Sequence, residues 1–285
     1  MTNLKKIKLI SDSTCDLSSD LIKKLDIDIV PLYVNFVEES YFDGVNLTTA
    51  KMYELVKKKG LLPKTAAASP GAFYEIFERY LKEEYQIIYL GIGSKFSATF
   101  LSAHSAKKML ESDDIFLVDS ENLSSGSGLL LLKADKFRQE GNDAQTIVNK
   151  LLEIVPKVRS QFVIDTLDYL YKGGRLNALS AFMGTMLKIK PIIKVRDGVM
   201  VVGKKARGNI NQGINLLIKE VMDLKEEIDS DFLMVTHSMA HKSYEYIYNE
   251  IHDKLPIKHI YETDAGCVIS SHCGEGTIGI LYILK

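Results

Sequence analysis

Short apolar runs that end in a polar turn and continue as a helix constrain the fold of this chain more than any other feature. Ile87–Ile92 is typical of a buried strand, and its Gly/Ser turn leads into a helix predicted over Ser97–Leu110. Ile7–Ile10 and Ile115–Ser120 are further predicted strands that alternate with helices. Strands joined by crossover helices pair in parallel, because each crossover returns the chain to the same end of the sheet. The sequence therefore predicts an α/β fold built on a mainly parallel, Rossmann-like sheet.

The turn after Ile87–Ile92 carries the hydroxyl groups of Ser94, Ser97 and Thr99 at the start of the predicted helix. The first turn of a helix has unpaired N–H groups and the positive end of the helix dipole, so it favours a phosphate or a carboxylate. Parallel sheets bind ligands beyond the carboxyl ends of their strands, where this turn lies. The same residue types also cap helices without any ligand, so the turn alone is compatible with both interpretations.

A chain of 285 residues exceeds the size at which one hydrophobic core usually stops growing, which favours two domains. Pro156 ends a predicted helix, and we expect an N-terminal α/β domain over residues 1–157 and a C-terminal α/β domain over residues 158–285. A predicted helix over Ala178–Leu187 is apolar on every side, so it is either deeply buried or lines an apolar cavity. The strands predicted in the second half are Gln161–Ile164, Pro191–Val195, Val199–Val202, Phe232–Thr236, His259–Glu262, Val268–Ser271 and Thr277–Leu284.

The composition argues against several classes of function. A net charge of −1 with 26% charged residues provides no basic surface for nucleic acid. No apolar run is long enough to span a bilayer, and the N-terminus lacks the apolar core of a signal peptide, so we expect a cytoplasmic protein. Cys15, Cys267 and Cys273 include no CxxC pair, which argues against a disulfide framework or a thiolate metal site.

Common enzyme signatures are missing from the sequence, which weakens the assignment to an enzyme. The chain contains no GxxxxGK[ST] phosphate loop, GxSxG elbow, HExxH helix or complete GxGxxG turn. His237 and His241 have the spacing of a metal-binding pair, but His237 lies at a predicted strand end and no third ligand is evident. No metal site is therefore predicted.

Three other residues are candidates for contact with an anion. His272 follows the predicted strand Val268–Ser271 and precedes two glycines. Its imidazole therefore either faces a ligand or forms its hydrogen bonds within a turn of the protein. Arg175, which follows two glycines, and Arg207 are candidate partners of a carboxylate or a phosphate. For each arginine a solvated surface position is the commoner explanation.

Several separated motifs together resemble the DegV family. The most specific is the pattern Leu-x-Tyr-Leu-x-x-Gly-Gly-Arg, which ends at Arg175. In chain order, the segments that carry the resemblance are Ser11–Leu17, Thr65 before Ser69-Pro70, Ser97–Thr99, Val118–Ser120, Asp165–Arg175, Ile189–Ile193 and His272–Gly276. The resemblance covers essentially the whole chain.

Resemblance to this family implies a two-domain protein that holds one long-chain (C14–C18) fatty acid in a tunnel between its domains. It implies no cofactor and no catalytic residue, because such proteins present the carboxylate of the acid to a separate ATP-dependent fatty-acid kinase. Transient contact with a membrane would allow lipid exchange. Thr65 and Ser97 match the hydroxyls that bind the carboxylate, and His272 matches the histidine beside it. Arg175 and Arg207 match arginines near the ligand head or the kinase-facing surface.

The sequence also departs from the family pattern. Alanines occupy positions 66–68 where Ser-Gln-Pro is usual, Ala98 replaces glycine, and Glu275 replaces proline in the motif after His272. A carboxylate at Glu275 would repel a bound fatty-acid anion, so this side chain is expected to point to solvent. Two other functions stay open: an α/β enzyme acting on a small phosphorylated or carboxylated substrate, and a carrier of another apolar anion or an adapter with a structural lipid.

Overall fold

The structure is a computed structural model that describes residues 5–175 and 189–285, so the predicted helix Ala178–Leu187 lies outside the described residues. The strands are β1 (Ile7–Asp12), β2 (Ile27–Val30), β3 (Tyr33–Phe36), β4 (Glu39–Phe42), β5 (Lys64–Ala66), β6 (Gln86–Gly91), β7 (Ile115–Asp119), β8 (Val158–Val163), β9 (Ile189–Arg196), β10 (Val199–Arg207), β11 (Ile228–His237), β12 (His259–Asp264) and β13 (Ile278–Leu284). The α-helices are α1 (Ser19–Lys24), α2 (Thr49–Lys59), α3 (Pro70–Lys82), α4 (Thr99–Leu110), α5 (Ser125–Gln139), α6 (Ala144–Ile154), α7 (Asp168–Lys172), α8 (Ile210–Asp223), α9 (His241–Ile251) and α10 (Cys267–Cys273).

The first sheet contains four parallel strands in the order β2-β1-β6-β7. Helices α3 and α4 pack together over one face, and α5 and α6 cover the other. Both faces are therefore buried, which is why its strands are continuous apolar runs rather than alternating ones. The predicted α/β fold with a mainly parallel sheet is confirmed.

A small antiparallel sheet, ordered β4-β3-β5, lies beside the parallel one. The alternating segment Ile29–Phe36 does not form one continuous strand, because the chain leaves β2 at Val30 and enters β3 at Tyr33. Pro31 separates the two strands, since its fixed φ and missing N–H prevent regular pairing. The segment Lys64–Ala66 forms the edge strand β5, which fixes the position of Thr65.

The second large sheet is mixed, with the order β10-β9-β8-β13-β11-β12. Only β11 and β12 pair in parallel within it. Six of the strands predicted for the second half are present, but the strand predicted over Val268–Ser271 is wrong. That segment belongs to helix α10, which delivers His272 from a helix rather than from a strand.

Helix α5 lies between the two large sheets and is buried from Ser125 to Asp135. Its leucines belong to one apolar cluster with Leu90 of the parallel sheet and Leu281 of the mixed sheet. The helix begins at Ser125, within a glycine-rich segment. A Cβ at Gly126 would lie 2.1 Å from the Asn122 side chain, so the close packing of this first turn requires glycine. Because the core is continuous across residue 157, the division into two domains at that point stays a prediction.

Within residues 5–175 and 189–285, none of the helices combines the length and the apolar character needed to cross a bilayer.

Candidate functional site

A cavity lies where the three sheets and helix α10 approach one another. Its volume is about 100 Å³, so the space is narrow. Most of its wall is apolar. The apolar residues are Leu32, Ala66, Ala67, Ile92, Phe96, Leu123, Phe162, Leu170, Met200, Ala265, Val268, Ile269 and Leu281. An apolar wall with a few polar groups is the usual composition of a small-molecule site, where the polar groups fix the orientation of the ligand.

His272 and Thr65 form the best-defined polar contact of the cavity. The Thr65 Oγ1 atom lies 2.9 Å from His272 Nε2, and both residues line the cavity. Burial, followed by the positive charge of Arg175, lowers the pKa of His272 to about 4. The imidazole is therefore neutral at pH 7. Its second nitrogen, Nδ1, is buried and has no hydrogen-bond partner among residues 5–175 and 189–285.

The Gly-Gly-Arg motif packs directly against this histidine. A Cβ at Gly173 would lie 2.2 Å from His272 Nδ1, so only glycine allows the turn after α7 to approach the ring this closely. Arg175, two residues later, is exposed but also lines the cavity, and its guanidinium donates to the carbonyl oxygen of Gly173 at 2.9 Å. The motif thus places a cation at an opening of the cavity beside the neutral imidazole.

Ser97 reaches the cavity from the turn between β6 and α4. Its Oγ lies 2.8 Å from the Thr99 hydroxyl and accepts the Thr99 N–H at 3.3 Å. The helix begins at Thr99 rather than at Ser97, and its cap residue, Ala98, has no side-chain acceptor. Ser97 therefore lines the cavity at the start of a helix, the position at which an anion is favoured.

Three predicted site residues do not line this cavity. Thr99 is fully buried beneath Ser97, and Ser94 is exposed, with its backbone N–H donating to Asp119. Arg207 is exposed at the end of β10. The structure thus brings Thr65, Ser97, Arg175 and His272 together at one cavity; the ligand contacts of all seven predicted residues stay predictions.

Two buried carboxylates, which the sequence analysis did not single out, hold the start of α10. Asp43 accepts from the backbone N–H groups of Cys267 at 2.7 Å and Val268 at 3.4 Å. Asp16 accepts from Gly266 N–H at 2.9 Å. Burial raises the pKa of Asp43 and raises that of Asp16 well above its usual range. Asp16 follows β1 of the parallel sheet and Asp43 follows β4 of the small antiparallel sheet, so the two carboxylates tie α10, and with it His272, to both sheets.

Several hydroxyl groups on the cavity wall carry no recognisable sequence signal. They come from three different strands and the segments next to them, so only the tertiary fold collects them. These residues are Ser124, Ser160, Thr236, Ser238 and Thr277. Most of them satisfy buried neighbours: Ser124 donates to Asp16, and Ser160 donates to Asn122 at 2.6 Å.

The position of Glu275 agrees with expectation. Its side chain is exposed and lies 3.2 Å from the ammonium group of Lys57, at the C-terminal end of α2. The carboxylate is absent from the cavity wall. It therefore does not present negative charge to a ligand beside His272.

Comparison with known proteins identifies the family. A family model described as an uncharacterised protein of the DegV family matches residues 6–285. A DegV domain-containing protein of Clostridium acetobutylicum is 37% identical over 99% of this chain and 100% of its own length. The structure of a DegV family protein from Thermus thermophilus, described in terms of fatty-acid binding, aligns with a TM-score of 0.92 at 28% identity, covering 98% of this chain and 100% of that one. A stearic-acid-binding protein from Eubacterium ventriosum aligns with a TM-score of 0.85 at 26% identity, covering 98% of each chain. The chain belongs to the DegV family.

Proposed function

We propose that this protein binds one long-chain fatty acid of C14–C18 in the cavity, with the carboxylate beside Thr65, Ser97 and His272. The observation that carries the proposal is the narrow apolar cavity in which these three side chains are the predicted head-group contacts. Relatives of similar fold are described as fatty-acid-binding proteins.

The apolar wall supplies most of the affinity. Burial of about 14 methylene groups at about 0.8 kcal/mol each contributes on the order of 11 kcal/mol before association and ordering costs. The polar groups are therefore needed to orient the acid rather than to retain it.

The head-group residues suit a carboxylate because they offer hydrogen-bond donors. When His272 Nε2 carries the proton, it donates to Thr65, and the Thr65 hydroxyl hydrogen is free to donate to the ligand. Ser97 provides a second hydroxyl, and Arg175 provides positive charge at the opening.

The chain serves, in this proposal, as a non-catalytic acyl-binding subunit that presents the carboxylate to a separate ATP-dependent kinase in the cytoplasm. A carboxylate oxygen of the acid attacks the γ-phosphorus of ATP, the bond from that phosphorus to the β,γ-bridging oxygen breaks, and acyl phosphate and ADP are the products. The supporting observation is that the sequence offers hydroxyls and an imidazole for the acid but no phosphate-binding loop motif for ATP. Brief contact with a membrane exchanges the lipid.

The first test is extraction of protein purified from a bacterial host with organic solvent, followed by mass spectrometry. We expect close to one C14–C18 acid per chain. Release of a small phosphorylated or carboxylated compound instead would support the enzyme alternative, and release of a different apolar anion would identify another carrier function.

The second test is phosphorylation of the bound acid in an assay reconstituted with a bacterial fatty-acid kinase. Ser97→Ala and His272→Ala should lower turnover while the purified variants still retain the acid, because the acyl chain supplies most of the affinity. Ser105→Ala is the matched control, because it removes a hydroxyl of α4 that does not line the cavity. Equal turnover by the wild type and both variants would reject the head-group assignment.

A further inference from the structure

Two histidines and a glutamate meet at one edge of the mixed sheet. His237 is the last residue of β11, His241 is the first residue of α9, and Glu262 lies on β12. Glu262 Oε1 is 2.9 Å from His237 Nε2 and also hydrogen-bonds His241 Nδ1. One nitrogen of each imidazole and one carboxylate oxygen all lie within 4.8 Å of one another.

The fold, rather than a helical repeat, creates this cluster. β11 and β12 are parallel neighbours, with Val235 opposite Glu262, so the glutamate lies beside the end of β11. A tight turn then leads from His237 into α9 and folds the His241 ring back over the same carboxylate. The sequence shows the two histidines but not the glutamate, because the third group lies more than 20 residues further along the chain.

We propose that His237, His241 and Glu262 bind one divalent cation of the zinc class. Two imidazoles and one carboxylate form a ligand set used by zinc, which leaves a fourth position for water or an anion. Imidazole ligands favour zinc and its neighbours among the transition metals over Mg²⁺ and Ca²⁺, which prefer all-oxygen sites. Hydrogen bonds to Glu262 hold the two rings in place.

Two further carboxylates lie behind the imidazoles, as the outer groups of metal sites do. Asp264 Oδ1 is 3.3 Å from His237 Nδ1, and Glu245 Oε1 is 3.5 Å from His241 Nε2. A carboxylate that accepts the proton of one ring nitrogen leaves the other nitrogen free to bind a metal. The N–H of Ala240 also approaches His237 Nδ1, at 3.3 Å, so metal binding requires this ring to exchange that contact for the one with Asp264.

The cluster combines a fixed anchor with open access. His237 is only 4% exposed, whereas Glu262 is 31% and His241 62% exposed, so an ion reaches the site from solvent without opening the core. His237 also lines the cavity, which places the ion at the outer side of the cavity wall. None of the residues predicted to bind the fatty-acid head group belongs to this cluster.

The experiment is calorimetric titration of the chelator-treated, full-length protein with ZnCl₂, followed by the visible spectrum of the Co²⁺ form. We expect one Zn²⁺ per chain and the intense absorption of four-coordinate Co²⁺. His241→Ala and Glu262→Gln should each weaken Zn²⁺ binding by at least about tenfold. The matched controls are His259→Ala, at an exposed histidine on β12, and Glu250→Gln, at a half-buried glutamate on α9 that pairs with Lys254. Both should bind Zn²⁺ as the wild type does.

Two results would overturn the proposal. Absence of Zn²⁺ uptake by the wild type would leave the three residues as a hydrogen-bonded cluster only. Uptake that His241→Ala and Glu262→Gln leave unchanged would place the bound ion elsewhere. The two variants lie on different elements, so loss of folding in one of them still leaves the other as a test.

Discussion

Two histidine regions of this molecule show how strongly the surroundings decide what an imidazole does. His272 lies in the last turn of α10, where burial and Arg175 lower its pKa to about 4 and its partner is the neutral hydroxyl of Thr65. His241 begins α9 at the surface, where Glu262 raises its pKa. One ring is therefore neutral near pH 7, whereas the charged form of the other is stabilised by its neighbour. Desolvation dominates at the first region, and a neighbouring carboxylate dominates at the second.

The helices that carry these histidines are also held differently. Asp16 and Asp43, both buried, accept the backbone N–H groups at the start of α10. The start of α9 has no side-chain cap, and the carboxylate of Glu262 holds it through the His241 ring. The first region is thus preorganised by the core, whereas the second depends on surface charges.

The largest expected effect concerns the pH dependence of stability due to His272. The unfolded side chain takes up a proton near pH 6.5 but the folded one only near pH 4, so this group destabilises the protein as the pH falls from 6.5 to 4, by up to about 3 kcal/mol. In His272→Gln that component is absent. Urea denaturation at pH 7, 5.5 and 4.5 should show the variant gaining stability relative to the wild type on acidification.

Comparison of variant with wild type at each pH removes the contribution of the other titrating groups, such as Asp16 and Asp43. His259→Gln, which changes an exposed histidine, is the control and should follow the wild type. If the difference in free energy of unfolding between His272→Gln and the wild type stays constant across this pH range, the imidazole is not held neutral.

Removal of the α10 cap should have the next largest effect. Asp43→Ala leaves the N–H groups of Cys267 and Val268 without their acceptor, which should cost about 2 kcal/mol of the free energy of unfolding. The matched control is Asp264→Ala, which removes an exposed carboxylate that precedes α10 in the sequence. This variant should change the free energy of unfolding little. Denaturant midpoints at constant pH measure the stability of both variants. A similar loss of stability in the two would show that the hydrogen bonds from Asp43 do not stabilise α10 more than an exposed carboxylate does.

Loss of the Thr65 hydroxyl should lower the free energy of unfolding by less than loss of the α10 cap. Thr65→Val keeps the shape of the side chain but removes the partner of His272 Nε2, so the expected loss is about 1 kcal/mol. Thr65→Ser retains the hydroxyl and serves as the control. Thermal unfolding at pH 7 compares the three proteins, and a valine variant as stable as the serine variant would contradict the contact.

The smallest expected effect is at the surface histidine. Because the folded pKa of His241 is raised, its pairing with Glu262 stabilises the protein fully below pH 6.5, and the stabilisation is lost as the pH rises through that raised pKa. His241→Gln should therefore cost more stability at pH 6 than at pH 9, the opposite sign to His272→Gln. Urea denaturation of both proteins in the presence of a chelator measures this loss of stability at each pH. An equal loss at pH 6 and pH 9 would mean that the two histidines do not differ in their effect on the pH dependence of stability.

The sequence by itself determined the features that depend on local pattern. Alternation of apolar strands with helices gave the parallel sheet, because each element must bury its own apolar side. Motif matching also named Thr65, Ser97, Arg175 and His272, which the structure brings to one cavity. Each of these residues lies within a short motif, so it could be identified without knowing which distant residues it contacts.

Only the tertiary structure decided how distant residues meet. Val268–Ser271 lies in a helix rather than a strand, and Asp43, far away in the chain, accepts the N–H groups at the start of that helix. Thr65 pairs with His272 across 207 positions, and Glu262 joins His237 only through the pairing of β11 with β12. Such contacts depend on packing between elements, and local propensity contains no information about them.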